Sequence, residues 1–304
     1  MKKIVKRIAL AMLLLVVLGT TAFAIAVVAR ENRTFDAPYP EVSASHDPAV
    51  IERGRYLANG PAHCVACHEA NFAGGLAFHL PIGTIYTRNV TPDPKTGIGR
   101  YSDREIARVL RYGVHPSGRA MLPFMPFADM SDGDLTAVVS YLRSLPPVDH
   151  VVPASDYNML GRVAKAFLLE PKGPMGAPPA HVEPAPTAEY GRYIANTIAN
   201  CSGCHTRRSP RTGEQLGVAF AGGMTVESHT APGTKFVTPN LTPDPTTGHI
   251  HAWSEDVFVA RFKNAVATSS PMPWEQFRTM TDDDLRALYR YFRSLPAAKT
   301  GQDL

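Results

Sequence analysis

The sequence predicts an all-α protein in which an N-terminal transmembrane helix precedes two tandem helical domains. Three observations carry this prediction: an apolar run near the N-terminus, a repeat that builds the rest of the chain twice, and apolar residues at helical spacing in each copy. We place the anchor, or alternatively a signal peptide, at residues 1–30 and the domains at residues 48–147 and 187–297. A proline-rich linker containing a short helix is expected at residues 148–186.

The distribution of charge separates the first few residues from the rest. Four of the first seven residues are basic (Lys2, Lys3, Lys6 and Arg7), and no acidic residue precedes Glu31. Without those four, the chain has 27 basic and 27 acidic residues, so its body is neutral. Because proteins that bind nucleic acid present a basic face, this balance argues against a nucleic-acid partner.

An uncharged apolar run covers residues 8–29. At 1.5 Å per residue it is about 33 Å long, enough to cross a hydrocarbon core of roughly 30 Å. The basic residues before it predict that the chain after Arg30 lies on the periplasmic side of the cytoplasmic (inner) membrane. The alternative is a signal peptide cleaved after Ala22-Phe23-Ala24, but signal-peptide cores span only about 7–15 residues. We therefore favour a single-pass, uncleaved anchor.

All four cysteines fall in two identical frames, Cys64-Val65-Ala66-Cys67-His68 and Cys201-Ser202-Gly203-Cys204-His205. The C-x-x-C-H spacing is typical of c-type haem attachment. Two thiols one helical turn apart can add to the two vinyl groups of one haem, and the following imidazole then lies under the iron. The predicted cofactors are therefore two covalently attached haem c groups, with His68 and His205 as axial ligands.

Cysteine pairs at this spacing also occur in redox disulfides and in zinc sites. A redox disulfide does not require a histidine after both pairs. A zinc site takes four ligands, often from two such pairs, but here the pairs are 137 residues apart and each lies in its own copy of the repeat. Both alternatives are less favoured than haem.

The haem motif occupies the same place in each copy of the repeat. The matching segments are residues 52–59 with 189–196, 89–97 with 240–248, and 131–146 with 281–296. The first cysteine follows an aligned glycine, Gly54 or Gly191, by ten residues in both copies. Tyr56 and Tyr193 also align, and we expect them to pack between helices.

Helices are predicted from apolar stripes and capping residues. The closing helices carry the stripes Leu135, Val138, Val139, Leu142 and Leu285, Leu288, Tyr289, Phe292. Ser131 and Thr281 are the expected N-caps of these helices, and a middle helix should begin at Ser102 and at Ser254. In the linker, residues 157–169 predict a short amphipathic helix with Leu160, Val163, Ala164, Phe167 and Leu168 on one face.

A second axial ligand must come from elsewhere in each copy, and Met or His is the usual donor. Met125-Pro126-Phe127 aligns with Met272-Pro273-Trp274, and each motif lies in a proline-flanked loop. Met130 and Met280 recur as well, but each precedes an N-cap, where it can pack onto the following helix as a hydrophobic staple. We therefore predict Met125 and Met272 as the ligands.

Histidine is the alternative donor. His115, His249 and His251 have no histidine at the matching position of the other copy. This pattern argues against bis-histidine ligation of both haems.

These motifs resemble the class I cytochrome c family, twice over. More narrowly, Asn89-Val90-Thr91-Pro92-Asp93, Gly97-Ile98-Gly99 and Met125-Pro126-Phe127 resemble the cytochrome subunits of membrane-bound alcohol, gluconate and aldehyde dehydrogenases. The resemblance covers residues 50–296. It implies two tandem cytochrome c domains with His and Met axial ligands. It also implies electron transfer from a dehydrogenase catalytic subunit to quinone, a terminal oxidase or a soluble cytochrome. Those subunits commonly carry three haem domains, whereas this chain has two.

An iron with His on one side and Met on the other has no open position for a substrate. We therefore predict an electron carrier and not an enzyme. One rival is a dihaem enzyme of the peroxidase or thiosulfate-oxidising type, which would turn over its substrate at an open iron. The other is a binding module stabilised by zinc or disulfides, which would show no haem absorption.

Overall fold

The computed structural model describes residues 2–209, 213–228, 231, 233–266 and 270–304. In chain order its helices are α1 (Lys2–Arg30), α2 (Pro48–Asn59), α3 (Val65–His68), α4 (Asp103–Tyr112), α5 (Asp132–Ser144), α6 (Met159–Phe167), α7 (Ala188–Tyr193), α8 (Cys201–His205), α9 (Glu255–Lys263), α10 (Trp274–Phe277) and α11 (Asp282–Ser294). A π-helical turn, Ile194–Ile198, continues α7. The strands are β1 (Ala77–Leu80), β2 (Gly83–Tyr86), β3 (Asp156–Tyr157), β4 (Thr225–Glu227) and β5 (Lys235–Val237).

The predicted helix starts are confirmed by capping hydrogen bonds. At the start of α4, Ser102 Oγ accepts from the Glu105 N–H and Glu105 Oε2 accepts from the Ser102 N–H, at 3.3 and 2.8 Å. Ser254, Ser131 and Thr281 cap α9, α5 and α11 with their side-chain oxygens. These bonds satisfy N–H groups that have no partner within the helix.

Each repeat is built around one closely crossing pair of helices, α2 with α5 and α7 with α11. The crossing points are Gly54 and Gly191. A Cβ added to either glycine would lie 1.9 Å from a backbone oxygen of the facing helix, that of Ala137 or Ala287. Glycine is therefore required for the helices to approach this closely.

The chain is mostly helical, but the all-α prediction omitted two small antiparallel sheets in the described residues. In one, β1 pairs with β2 and β2 with β3; in the other, β4 pairs with β5. The strands have two to four residues. They are too short to show an alternating pattern, and β3 joins its sheet from the linker. The sequence therefore carried little sign of them.

The linker packs against the first repeat along its length. Besides contributing β3, it accepts hydrogen bonds from the first turn of α5: Pro179 O from the Asp132 N–H at 3.0 Å, and Ala180 O from the Gly133 N–H at 2.9 Å. Its predicted helix is confirmed as α6 and contacts the end of α1. The long helix α1 is apolar and long enough to cross a membrane.

The two repeats contact each other through reciprocal tyrosines. The Tyr193 hydroxyl accepts from the Ser131 N–H at 3.0 Å and donates to Asp134 at 2.8 Å, both at the start of α5. In the opposite direction, the Tyr56 hydroxyl accepts from the Thr281 N–H at 3.0 Å and donates to a carboxylate of α11. These tyrosines do more than pack between helices, because each binds the helix start of the other repeat.

Candidate haem attachment sites

Each C-x-x-C-H frame forms one turn of helix. In the first frame the Cys64 carbonyl accepts from the N–H groups of Cys67 and His68, at 3.1 and 2.8 Å. In the second frame the turn is α8 itself, Cys201–His205. The two cysteines and the histidine of each frame therefore share one turn, as attachment to a single porphyrin requires.

The first cysteine of each frame is partly buried against the apolar cluster of its own repeat. Burial raises the pKa of Cys64 and of Cys201 to about 12, and it also raises the pKa of Cys67 and of Cys204. All four cysteines are unpaired thiols. A neutral first thiol beside apolar side chains in each frame suits a flat apolar macrocycle, so these residues fit the attachment of haem.

One ring nitrogen of each histidine is bound to a backbone carbonyl. His68 Nδ1 lies 2.8 Å from Arg88 O, and His205 Nδ1 lies 2.9 Å from Pro239 O. Burial lowers the pKa of both imidazoles. A neutral ring that donates from Nδ1 leaves the Nε2 lone pair available for iron.

The carbonyl that binds each histidine comes from the residue just before an asparagine. Asn240 Oδ1 accepts from the Thr242 N–H and hydroxyl, both at 2.8 Å. Its Nδ2 donates to Ala298 O at 2.7 Å and to Thr247 Oγ1 at 3.0 Å. This side chain therefore ties three parts of the second repeat together beside the histidine.

Asn89 makes the matching set of bonds in the first repeat. Its Oδ1 accepts from the Thr91 N–H and hydroxyl, at 3.0 and 2.7 Å. Its Nδ2 donates to Thr96 Oγ1 at 3.0 Å and to Val148 O at 2.8 Å. The sequence identified this segment only as one that recurs in both copies. The structure shows that the segment also positions the carbonyl behind the histidine.

A buried aspartate completes each loop. Asp244 Oδ1 accepts from the Thr247 N–H at 2.7 Å, from the Thr247 hydroxyl at 2.8 Å and from the Thr246 hydroxyl at 2.9 Å. These bonds lower the pKa of Asp244 to about 2. Bonds from Thr96 and its neighbours likewise lower the pKa of Asp93. Both loops therefore hold an ionised carboxylate at neutral pH.

A second recurring motif supports the same carbonyls and was missed in the sequence. Gly74 and Gly222 lie at φ +69° and +65°, and a Cβ on either would lie 2.5 Å from backbone atoms of the carbonyl segment. They belong to Phe72-Ala73-Gly74-Gly75 and Phe220-Ala221-Gly222-Gly223. The recurrence of Phe-Ala-Gly-Gly was the signal that could have revealed them.

Each predicted methionine lies in the apolar cluster of its own repeat. Met125 packs against the same cluster as Cys64, and Met272 against the same cluster as Cys201. Met130 and Met280 lie deeper in these clusters and are almost completely buried. The structure therefore brings each predicted methionine to the cluster that contains the first cysteine of the same repeat.

The methionine segments differ in length between the repeats. The Met130 N–H bonds to Phe127 O and the Met280 N–H to Phe277 O, both at 3.1 Å, so Phe277 is the structural counterpart of Phe127. The aligned Trp274 instead begins α10, an added turn in the second repeat.

Comparison with known proteins finds a family match for part of the chain. Residues 51–146 match the model of the cytochrome c family. The chain is 32% identical over 291 residues to the cytochrome c subunit of alcohol dehydrogenase (quinone) from Gluconobacter oxydans, covering 85% of this chain and 57% of that protein. It is 32% identical over 274 residues to the gluconate 2-dehydrogenase cytochrome c subunit from Pantoea cypripedii, covering 84% and 61%.

A third relative is covered over more of its own length. It is a diheme cytochrome c-type protein from Cereibacter sphaeroides, 28% identical over 267 residues, covering 80% of this chain and 84% of that protein. By contrast, the chain spans a little over half of the two dehydrogenase subunits. Together, these comparisons show that residues 51–146 match the cytochrome c family and that the chain is similar to cytochrome c subunits of dehydrogenases over a little over half of their length.

Proposed function

We propose that this protein is a dihaem c-type cytochrome that carries electrons from a membrane-associated dehydrogenase to quinone, a terminal oxidase or a soluble cytochrome. The observation that carries the proposal is the duplicated site. Each repeat combines a C-x-x-C-H turn, a histidine bound through Nδ1 to a loop carbonyl, and a methionine in the same apolar cluster as the first cysteine.

The residues that would hold each cofactor follow from this duplication. Cys64 and Cys67 would form the thioethers of one haem, and Cys201 and Cys204 those of the other. The axial ligands would be His68 with Met125 and His205 with Met272. When bound, each haem supplies the reversible one-electron couple of its iron.

The chain's own groups orient and shield the cofactors. The carbonyls of Arg88 and Pro239 keep Nε2 of each histidine available for the metal. The apolar clusters exclude water, and a thioether ligand raises the potential of a c-type haem. A site closed on both sides in this way favours electron transfer over substrate chemistry.

The donor and the location are also proposed. Two of the relatives are named as cytochrome c subunits of dehydrogenases, which supports a dehydrogenase catalytic subunit as the electron donor. The apolar helix α1 and the basic residues before it support a single-pass anchor in the inner membrane, with both repeats on the periplasmic side.

Haem content tests the central claim. The full chain, expressed with the c-type haem maturation machinery, should contain two haems that remain attached after denaturation and acid–acetone extraction. Replacing both cysteines of either frame with alanine (C64A/C67A or C201A/C204A) should leave one haem. One haem in the wild-type chain, or haem that is extracted freely, would contradict the proposal.

Methionine ligation is tested by three matched substitutions, Met125→Leu, Met272→Leu and Met175→Leu. Each of the first two should abolish one sulfur–iron charge-transfer band and lower one reduction potential, because iron loses its thioether. Met175 is 94% exposed and serves as the control, which should change neither quantity. A variant at position 125 or 272 that keeps both bands would exclude that methionine as a ligand.

The donor assignment is tested separately. Tagged full-length protein, solubilised from the membranes of its own cell, should co-purify with a dehydrogenase catalytic subunit, and the substrate of that subunit should reduce both haems. If both haems are present but no dehydrogenase accompanies them, the donor assignment is wrong and the haem assignment stands.

A further inference from the structure

The linker helix α6 has an apolar face that the rest of the described chain leaves largely uncovered. Leu160, Phe167 and Leu168 are 58%, 38% and 75% exposed, and they lie on the face predicted to be apolar. The residues that pack inward are instead Gly161 and Ala166. The packed face and the apolar face of this helix are therefore different.

The C-terminal end of α6 is attached to the last two turns of α1. The rings of Phe167 and Phe23 stack with centroids 5.9 Å apart, and Val27, on the same part of α1, is 2% exposed. Arg30 Nε donates to Ala166 O at 3.4 Å. The contact continues past the end of α1, where Arg162 donates to both carboxylate oxygens of Glu31, at 2.6 and 3.0 Å.

This attachment determines the depth of α6 relative to a membrane. Phe23 precedes Arg30 by seven residues, which corresponds to about 10 Å along a helix. If the apolar run of α1 crosses the bilayer, Phe23 lies within the hydrocarbon region. Phe167, stacked on it, must then lie at the same depth, and Leu168 follows Phe167 directly.

Polar groups around α6 lie where lipid headgroups would be. Lys165 Nζ lies 4.6 Å from the centre of the Tyr157 ring, and Arg33 donates to Leu169 O at 2.8 Å. Basic side chains beside an exposed apolar face are typical of helices that lie in the membrane interface, whose apolar face enters about 5–10 Å.

The other end of α6 is fixed to the first repeat. Asn158 Nδ2 donates to Pro81 O at 2.8 Å, at the turn between β1 and β2. A Cβ on Gly161 would lie 2.1 Å from Ile82 O, so α6 and this turn are in direct backbone contact. The position of α6 therefore determines how the first repeat is oriented relative to α1.

We propose that α6 is an interfacial membrane helix that inserts Leu160, Phe167 and Leu168 into the lipid leaflet on the side of the two repeats. The occupant of the exposed face is the bilayer itself. The helix thereby holds the first repeat at a fixed distance and orientation to the membrane surface. The inference rests on α1 spanning the membrane, which is part of the proposed function.

Spin labelling of the full-length, haem-loaded protein in phosphatidylcholine–phosphatidylglycerol vesicles tests this placement. Single cysteines are introduced as L160C in α6, L168C directly after α6, L15C in the middle of α1, and V257C on the exposed face of α9. The native cysteines are consumed as thioethers, which leaves each introduced thiol free to be labelled. Nitroxide relaxation by oxygen, which concentrates in lipid, is compared with relaxation by a water-soluble nickel chelate.

The labels at positions 160 and 168 should show a higher oxygen-to-nickel ratio than the label at 257, with position 15 highest. The labels at positions 160 and 168 could show the low oxygen-to-nickel ratio of a site in water while the label at position 15 shows the high ratio of a site in lipid. That result would overturn the inference and leave the anchor intact. Labels at 160 and 168 that are immobile and shielded from both reagents would mean that a second copy covers the face, which also overturns it. A water-type ratio at 15 would remove the anchor on which both proposals depend.

Discussion

At the scale of single residues, one backbone carbonyl beside each histidine determines which ring nitrogen can bind a metal. Arg88 O and Pro239 O each lie within 2.9 Å of an Nδ1 atom. The Nε2 lone pair of His68 and of His205 is therefore left free to bind a metal. The side chains of Arg88 and Pro239 take no part in these contacts with the histidines. The position of each carbonyl depends on the asparagine that follows it and on the glycine packed behind it.

Asn240→Ala should destabilise the protein. The substitution leaves the buried Thr242 N–H without its partner, at a cost of ~1–3 kcal/mol, while Ala298 O keeps the hydrogen bond from the Thr242 hydroxyl. The free energy of unfolding, measured by denaturant titration, should fall accordingly. Asn196→Ala is the control. The side-chain amide of Asn196 donates its hydrogen bond at the surface, so this substitution should lower the free energy of unfolding much less. Equal effects of the two substitutions would contradict the structural role assigned to Asn240.

The lowered pKa of Asp244 predicts that the stability of the protein depends on pH. That pKa is lowered from 3.8 to about 2 by hydrogen bonds to the carboxylate, so the stabilisation is complete above pH 4 and is lost as the pH falls through 2. Asp244→Asn cannot ionise and should lower the Tm at pH 7. The difference in Tm from wild type should narrow as the pH falls towards 2. A difference that stays constant from pH 7 to 2 would show that the carboxylate charge is not responsible.

At the scale of elements, the crossing of two helices without an intervening side chain builds the core of each repeat. Gly191 in α7 faces the Ala287 carbonyl in α11, as Gly54 faces the Ala137 carbonyl. The apolar stripes of α5 and α11 then point into the clusters against which Cys64 and Cys201 pack. The positions of these helices therefore depend on the two glycines.

Gly191→Ala should separate α7 from α11. The added methyl would lie 1.9 Å from Ala287 O, and overpacking of this kind typically costs about 1–3 kcal/mol. We expect a lower free energy of unfolding in denaturant titration. Gly176→Ala, where no atom lies within 4 Å of the added group, should change stability by less than about 0.5 kcal/mol. Stability of Gly191→Ala equal to wild type would mean that the helices do not cross this closely.

At the scale of the whole molecule, the two repeats are joined by polar contacts that come in reciprocal pairs. Besides the tyrosine bonds, Arg53, which is paired with Asp134 of its own repeat at 2.8 Å, donates from Nη2 to the hydroxyl of Tyr190 in the second repeat at 3.2 Å. His63, just before the first haem frame, contacts the Phe277 ring edge-on at 5.6 Å. The residue just before the first C-x-x-C-H frame therefore touches the methionine segment of the second repeat.

Tyr193→Phe should weaken the coupling between the repeats. It removes the partner of the Ser131 N–H and one donor to Asp134, at a cost of ~1–3 kcal/mol for a group left unpaired. In calorimetry the variant should show two transitions that lie further apart than those of wild type. Tyr141→Phe removes a hydroxyl that bonds Asn59 within the first repeat, so it should shift one transition only. If both variants behave alike, the interface does not couple the repeats.

The sequence alone determined the elements that depend on neighbouring residues. The two C-x-x-C-H turns, the N-caps at Ser102 and Ser131, the apolar run of α1 and the duplication are all local or periodic patterns. Local chemistry and internal comparison are enough to identify such features. The match of residues 51–146 to the cytochrome c family agrees with the resemblance to cytochromes c that the motifs of the first copy indicated.

The tertiary structure decided which distant groups meet. That Arg88 O lies behind His68, that Tyr193 reaches Ser131, and that α6 rests on the end of α1 depend on contacts across 20, 62 and about 140 residues. No periodicity or capping signal encodes such contacts, because they arise from packing backbone segments that are far apart in the chain. The small sheets escaped prediction for the same reason, since β3 is a strand only because β2 lies beside it.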